Sequence, residues 1–303
     1  MTGPTVICPI DFSEHSRMAL RLARAVTDRF AGRLVILHVN DPLLAAAAST
    51  HEMDLQKEAE EELQAILAGE PRGIPSPPPT MVVRKGDAAE EILGLAAREG
   101  ADLIVMGTHG LTGYRKLFFG STTERVLRQT RVPVVAVPLR PELAIPGGGS
   151  SLNGWGPVIA PVDFSDASAR SAHVAAGIGA TLKAPVVLVH VTRPVVAHDR
   201  WRDRAEAATD ASTAEGVHAL EALAASLRAR LRVETTVLGG EPAEEIARLA
   251  IRRKASLIVM GLRGAGGLFA PAVGSTAYRV LTLAPVPVLA IPTEFEVPAN
   301  WPG

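Results

Sequence analysis

Short apolar, β-branched runs alternate along this chain with stretches whose apolar residues recur every three to four positions. Thr5 to Ile10 reads as a buried strand, and Ala19, Leu22, Ala23, Val26 and Phe30 then mark one helix face. Leu34 to Val39 is a second strand. Leu55, Ala59, Leu63, Ile66 and Leu67 trace a second helix, which Gly69 and Pro71 stop. Beyond the proline-rich stretch from Pro71 to Pro79, Met81 to Val83 forms a short third strand. A third helix begins near Asp87 and runs through Ile92, Leu95 and Ala96. Leu103 to Met106 is a fourth, fully apolar strand, followed by a glycine-containing loop, a short helix and a last strand, Val132 to Val137. Strands alternating with helices in this way predict an α/β fold with a parallel sheet covered on both faces.

The pattern then starts again. Pro9-Ile10-Asp11-Phe12-Ser13 returns as Pro161-Val162-Asp163-Phe164-Ser165, and His38-Val39 as His190-Val191, each 152 residues later. Glu90-Glu91-Ile92 returns as Glu244-Glu245-Ile246, and Val132-Pro133-Val134 as Val286-Pro287-Val288, now 154 residues later. The chain is a tandem duplication with a net insertion of two residues between the second and third strands. Second-copy strands fall near Val158–Val162, Val186–Val191, Leu231–Val237, Leu257–Met260 and Val286–Ile291, and Val217, Leu220, Ala224 and Leu227 mark its second helix. Composition makes residues 141–156 (PELAIPGGGSSLNGWG) a linker between domains at 1–140 and 157–303.

The bulk properties narrow the function classes. The 303 residues carry 31 Lys and Arg against 32 Asp and Glu, a formal net charge of −1, so nothing basic points to nucleic acid. The lone cysteine, Cys8, allows no disulfide within the chain and favours a reducing compartment. The N-terminal residues do not read as a signal peptide, and no apolar window is long enough to span a membrane. The expectation is a cytoplasmic protein without membrane or nucleic-acid partners.

Candidate chemistry sits at the ends of the strands. After Met106 come Gly107 and Gly110, nine further residues, then Gly120-Ser121 at the start of a helix. Gly261, Gly264, Gly274 and Ser275 repeat the spacing after Met260. A strand feeding such a loop lets backbone approach a ligand closely, and the helix N-terminus behind it favours an anion. His109, or Arg263 in its place, stands where a phosphate contact would fall, and Arg115 and Lys116 lie near the first loop alone. Several residues carry a structural reading beside the functional one. Asp11 with Glu14, or Ser13 with Ser16, suits a helix cap, and Ser121 with Glu124 fits a capping box. His38 and His190, at the ends of apolar strands, read as satisfied core histidines. The eight histidines show no metal-ligand spacing, and neither the Walker loop nor the dinucleotide GxGxxG turn occurs.

Gly-x2-Gly-x9-Gly-Ser after Leu-Ile-Val-Met, together with Pro-Ile-Asp-Phe-Ser after the first strand, resembles the universal stress protein family, in its tandem two-domain form and its ATP-binding branch. The resemblance covers residues 4–139 and 156–293. It implies two tandem open parallel five-stranded sheets of order 3-2-1-4-5 with helices on both faces. It also implies one ATP site per domain: Asp11 and Asp163 would face adenine, Val39 and Val191 would offer backbone contacts to the base, and the glycine loops would hold ribose and phosphates. The candidate set is therefore Pro9, Ile10, Asp11, Val39, Met106, Gly107, His109, Gly110, Gly120, Ser121 and Thr122 in the first copy. In the second it is Pro161, Val162, Asp163, Val191, Met260, Gly261, Arg263, Gly264, Gly274, Ser275 and Thr276. No catalytic residue stands out, and Mg²⁺ would enter only as the companion of the phosphates. The function expected is a nucleotide-binding stress-response regulator acting through ATP-dependent conformation or an unknown protein partner. A slow ATPase or nucleotide-transferring enzyme of the same fold, and a nucleotide-free interaction protein, are the alternatives. The apolar last strands of the two copies are expected to pair with each other, and a homodimer is left open.

Overall fold

The most apolar runs form parallel strands buried on both faces, covered by helices from the alternating segments, while the third strand of each unit stays largely half-buried. The computed structural model describes residues 3–42, 54–69, 77–108, 120–138, 155–195, 197–228, 231–264 and 273–296. The chain divides into two units, residues 1–150 and 151–303.

In the first unit the strands are β1 (Thr5–Pro9), β2 (Arg33–Asn40), β3 (Thr80–Lys85), β4 (Leu103–Gly107) and β5 (Val134–Val137). Within this unit they lie in the order β3-β2-β1-β4-β5, and every pairing is parallel. β1 is the pivot: Ile7 is in register with Val35 of β2 on one side and Ile104 of β4 on the other. The helices are α1 (Glu14–Phe30), α2 (Leu55–Gly69), α3 (Ala88–Arg98) and α4 (Ser121–Gln129). Ala19, Leu22 and Ala23 of α1 are buried as the spacing predicts, and Ser13 caps it by accepting from the Ser16 N–H at 3.2 Å. β3 is longer than its apolar residues suggest, because the ladder with β2 continues through the polar pair Arg84 and Lys85.

The second unit repeats the design with β6 (Val158–Pro161), β7 (Val186–Thr192), β8 (Val233–Gly239), β9 (Leu257–Gly261) and β10 (Val288–Ile291), ordered β8-β7-β6-β9-β10 and again all parallel. Its helices are α5 (Asp166–Leu182), α6 (Arg202–Leu227), α7 (Pro242–Arg253) and α8 (Ser275–Leu283). One expectation fails here. Val217 is 47% exposed and does not belong to the buried face of α6, which is made by Gly216, Leu220, Ala224 and Leu227. The missing Cβ at Gly216 is what lets α6 approach β7. A methyl there would stand 2.9 Å from the His190 ring.

In each unit the strand order reverses where β1 meets β4, or β6 meets β9. The carboxyl ends of strands at such a reversal are the usual ligand position of open α/β sheets.

Candidate functional site

The crevice of the second unit is a cavity of about 500 Å³, within the range of small-ligand sites. Every second-copy candidate named from the sequence lines it. Pro161, Val162 and Asp163 come from the end of β6, Val191 from β7, and Met260, Gly261, Arg263 and Gly264 from β9 and its loop. Gly274, Ser275 and Thr276 come from the start of α8. Residues 100 positions apart in sequence therefore face one space. Sequence reasoning missed Ser168, Val189, His190, Pro242, Ile246 and Ala277, which complete the lining. For His190 the signal was present, as a polar residue at the mouth of an apolar strand. Ile246 and Ala277 look like any core residue of a helix, and nothing local marks them.

The loop after β9 is closed at its base by the Gly274 N–H donating to Leu262 O at 2.8 Å. The first unit closes the same loop with Gly120 N–H on Thr108 O at 3.0 Å, and Thr123 adds an Oγ1 hydrogen bond to Gly107 O at 2.9 Å. Both helices that follow have a glycine N-cap and no side-chain cap. The capping box at Ser121 is thus not formed. Ser121 is the first helical residue, one position too far along to cap, and Glu124 instead pairs with Arg128 at 2.7 Å. Neither glycine N-cap offers a side-chain oxygen to the first-turn amides, and in the second unit the start of α8, Ser275 to Ala277, lines the cavity with the positive end of its helix dipole.

The glycines differ in what they make room for. A Cβ at Gly107 would fall 2.8 Å from the His15 Cβ, so this glycine serves the packing of β4 on α1. A Cβ at Gly264 would fall 2.3 Å from Asp163 Oδ2, so here the loop backbone comes up against the carboxylate. Sequence reasoning gave Gly264 a phosphate to approach; its nearest neighbour is Asp163.

Asp163 is held from behind. Its Oδ1 accepts from the Ser165 N–H at 3.1 Å and from Ser165 Oγ at 2.5 Å. Asp11 is held the same way by Ser13, at 3.1 and 2.6 Å. Neither aspartate caps its helix. The serines do, each accepting from the N–H three residues on, while the carboxylate engages the capping hydroxyl. His38 and His190 are satisfied through Nδ1 contacts of 2.8 and 2.7 Å to Ile10 O and Val162 O, but they are not the core histidines expected: both are half-buried, and His190 lines the cavity.

In the first unit Pro9, Ile10, Asp11, Val39, Met106, Gly107, Gly120, Ser121 and Thr122 stand at the matching places of β1, β2, β4 and α4. His109, Gly110, Arg115 and Lys116 lie outside the described residues. A more open hollow of about 750 Å³ at the ends of β2 and β3, lined by Asn40, Gln56, Arg84 and Lys85 among others, contains none of the candidates. Among the described residues no three His, Cys, Asp or Glu side chains converge as a metal site, and no helix is long and apolar enough to cross a membrane.

Comparison with known proteins gives this geometry a lineage. A universal stress protein from Thermus aquaticus is 32% identical over 139 residues, covering 44% of this chain and 97% of that protein. One from Mycolicibacterium smegmatis is 25% identical over 301 residues, 94% of this chain and 96% of its own length. The crystal structure of a universal stress protein from Archaeoglobus fulgidus superposes with a TM-score of 0.62 at 21% identity, over 95% of this chain and 98% of that one, a likeness of fold. The model of the universal stress protein family matches residues 4–138 and again 154–292, so the chain belongs to the universal stress protein family, with two copies of its domain in tandem.

Proposed function

We propose that this protein is an adenine-nucleotide-binding regulator that holds ATP at the crevice of each unit. The observation that carries the reading is the second-unit cavity, which gathers all the second-copy candidates around one space of nucleotide size. Its two ends suit the two ends of a nucleotide. Val189, Val191, Met260 and Ile246 offer an apolar slot for a base, with the Asp163 carboxylate at its edge as acceptor for an exocyclic amine. Gly274, Ser275 and Thr276 offer backbone amides, hydroxyls and a helix N-terminus to the phosphates, an electrostatic contribution of about 0.3–1 kcal/mol before any hydrogen bond is counted. Arg263 adds a cation at the same loop.

In this reading ATP is a bound signal and not a rapidly consumed substrate. Fast phosphoryl transfer needs an oriented nucleophile and concentrated positive charge at the leaving group. Among the described residues lining the cavity, Asp163 is the one carboxylate, and it is tied to the Ser165 turn. The described donors do not make a magnesium site of their own, so Mg²⁺ would be carried by the phosphate oxygens, and no step is assigned to it. Nucleotide binding would favour one arrangement of each site and so shift the population a partner protein meets.

The test is the adenine nucleotide content of protein purified without added ligand, followed by calorimetric titration with ATP. A stoichiometry near two, or one strong and one weak site, is expected. Absence of binding at millimolar ATP, weaker than about −4 kcal/mol, overturns the reading.

A further inference from the structure

The Asp-Phe-Ser corner at the edge of the cavity contains a conformation that its residue type disfavours. Phe164 has φ of 64°, in the left-handed region that a bulky side chain avoids, and Phe12 has φ of 66° in the first unit. A strained backbone found once is a curiosity of a turn. Here the strain is repeated, and so are its surroundings. The Phe164 ring lies against the His190 imidazole with centroids 4.5 Å apart, and Phe12 lies against His38 at 4.4 Å. Each imidazole is pinned through Nδ1 to the carbonyl of the residue just before the aspartate, Val162 at 2.7 Å and Ile10 at 2.8 Å. The aspartate therefore sits between two fixed points. Its preceding peptide is held by the histidine, and its following residue is held by the same ring.

In the second unit burial does not explain the arrangement. Phe164 is 43% exposed, so the ring gains little by adopting a disfavoured backbone to reach a core. What the conformation does achieve is to turn the Ser165 N–H and hydroxyl back onto Asp163 Oδ1. That fixes the carboxylate plane at the cavity edge, with Oδ2 beside Gly264. Strain kept in place by surrounding contacts is characteristic of functional corners.

We propose that His190 with Phe164, and His38 with Phe12, are positioning pairs that aim the aspartate carboxylate at the base and so set the selectivity of each site for adenine over guanine. The proposal rests on the nucleotide reading above. At position 6 adenine presents an amine where guanine presents a carbonyl, so a carboxylate fixed at that position accepts from the first and repels the second, whereas one that swings also reaches the N1–H and 2-amino donors of guanine. A carboxylate free to swing discriminates less. The contribution of the pair is therefore to the ratio of the two affinities and not to affinity as such.

The test uses the full chain with the change made in both copies. Kd for ATP and for GTP are measured by calorimetry, with a thermal melt for each variant. H38F/H190F keeps a ring for the phenylalanine but loses the Nδ1 donor, while H38N/H190N keeps a donor near that place. F12G/F164G removes the ring and leaves a residue that adopts positive φ without cost. It therefore folds even if the histidine variants do not. The expected result is a fall of about tenfold in the ATP/GTP preference for H38F/H190F and F12G/F164G, with partial recovery in H38N/H190N. A purely structural role would lower the melting temperature, or both affinities together, and leave the ratio unchanged; that result overturns the positioning role alone. Wild-type protein that binds neither nucleotide overturns the nucleotide reading, and base selection with it.

Discussion

Gly264→Ala puts the smallest possible probe at the point where the glycine loop meets the carboxylate. The new methyl would stand 2.3 Å from Asp163 Oδ2, and the oxygen must retreat by about 1 Å to reach an ordinary van der Waals separation. A movement of that size takes Oδ1 out of range of the Ser165 N–H, now 3.1 Å away, and weakens the 2.5 Å contact with Ser165 Oγ. Hydrogen bonds to charged groups are worth about 1.5–3 kcal/mol. Asp163 is exposed, so the lower end applies, and the carboxylate that remains is misdirected. The expected cost to ATP binding in the second unit is about 1.4 kcal/mol, a tenfold rise in Kd. The assay is a double-mutant cycle of Gly264→Ala with Asp163→Ala, in an Asp11→Ala background that removes the matching carboxylate from the first unit. With the Asp163 carboxylate gone the methyl has nothing to displace, so Gly264→Ala should add less than about 0.5 kcal/mol there, the usual error of additivity. An equal cost in both backgrounds would refute the reasoning, because it would mean that the glycine clears space for the ligand and not for the aspartate.

Asp11→Ala and Asp163→Ala should each weaken ATP binding by about 1–3 kcal/mol; variants that melt earlier yet keep their ATP affinity would show carboxylates serving only the serine turns. The Asp87 carboxyl is held below its ordinary value first by the Arg125 hydrogen bond and then by the Glu90 N–H. A depressed folded-state pKa gives stability that is present above the unfolded value and lost as pH falls through the folded one. The melting-temperature gap between wild type and Arg125→Met should therefore close below about pH 4, and a gap constant from pH 6 to pH 3 would contradict the assignment. Burial pushes the Cys8 thiol well above its ordinary range, so native protein should not react with a thiol reagent at pH 8 while unfolded protein takes up one equivalent; rapid native labelling would place Cys8 elsewhere. Steady-state ATP turnover should stay well below about one per second, and faster turnover lost on Gly264→Val would make this protein an enzyme.

Much of this molecule is written locally in its sequence. The alternation of short apolar runs with three-to-four periodicity fixes strands and helices, because each reflects burial of a face set by neighbours a few residues away. The duplication needs only comparison of the chain with itself, and the glycine spacing needs only counting. The tertiary structure decided what depends on distant partners. β1 lies between β2 and β4 through pairings that no local pattern encodes, and the Thr5 N–H donates to Asp102 Oδ2 at 2.8 Å across 97 positions. The burial of Gly216 in place of Val217 follows from where α6 crosses β7. The absent capping box at Ser121 follows from the loop closure at Gly120, which starts the helix one residue earlier than its side chains suggest. The left-handed turn at Phe164 is the clearest case. Propensity argues against it, and it persists because His190, on a strand brought alongside by the sheet, fixes both the carbonyl before the aspartate and the ring after it.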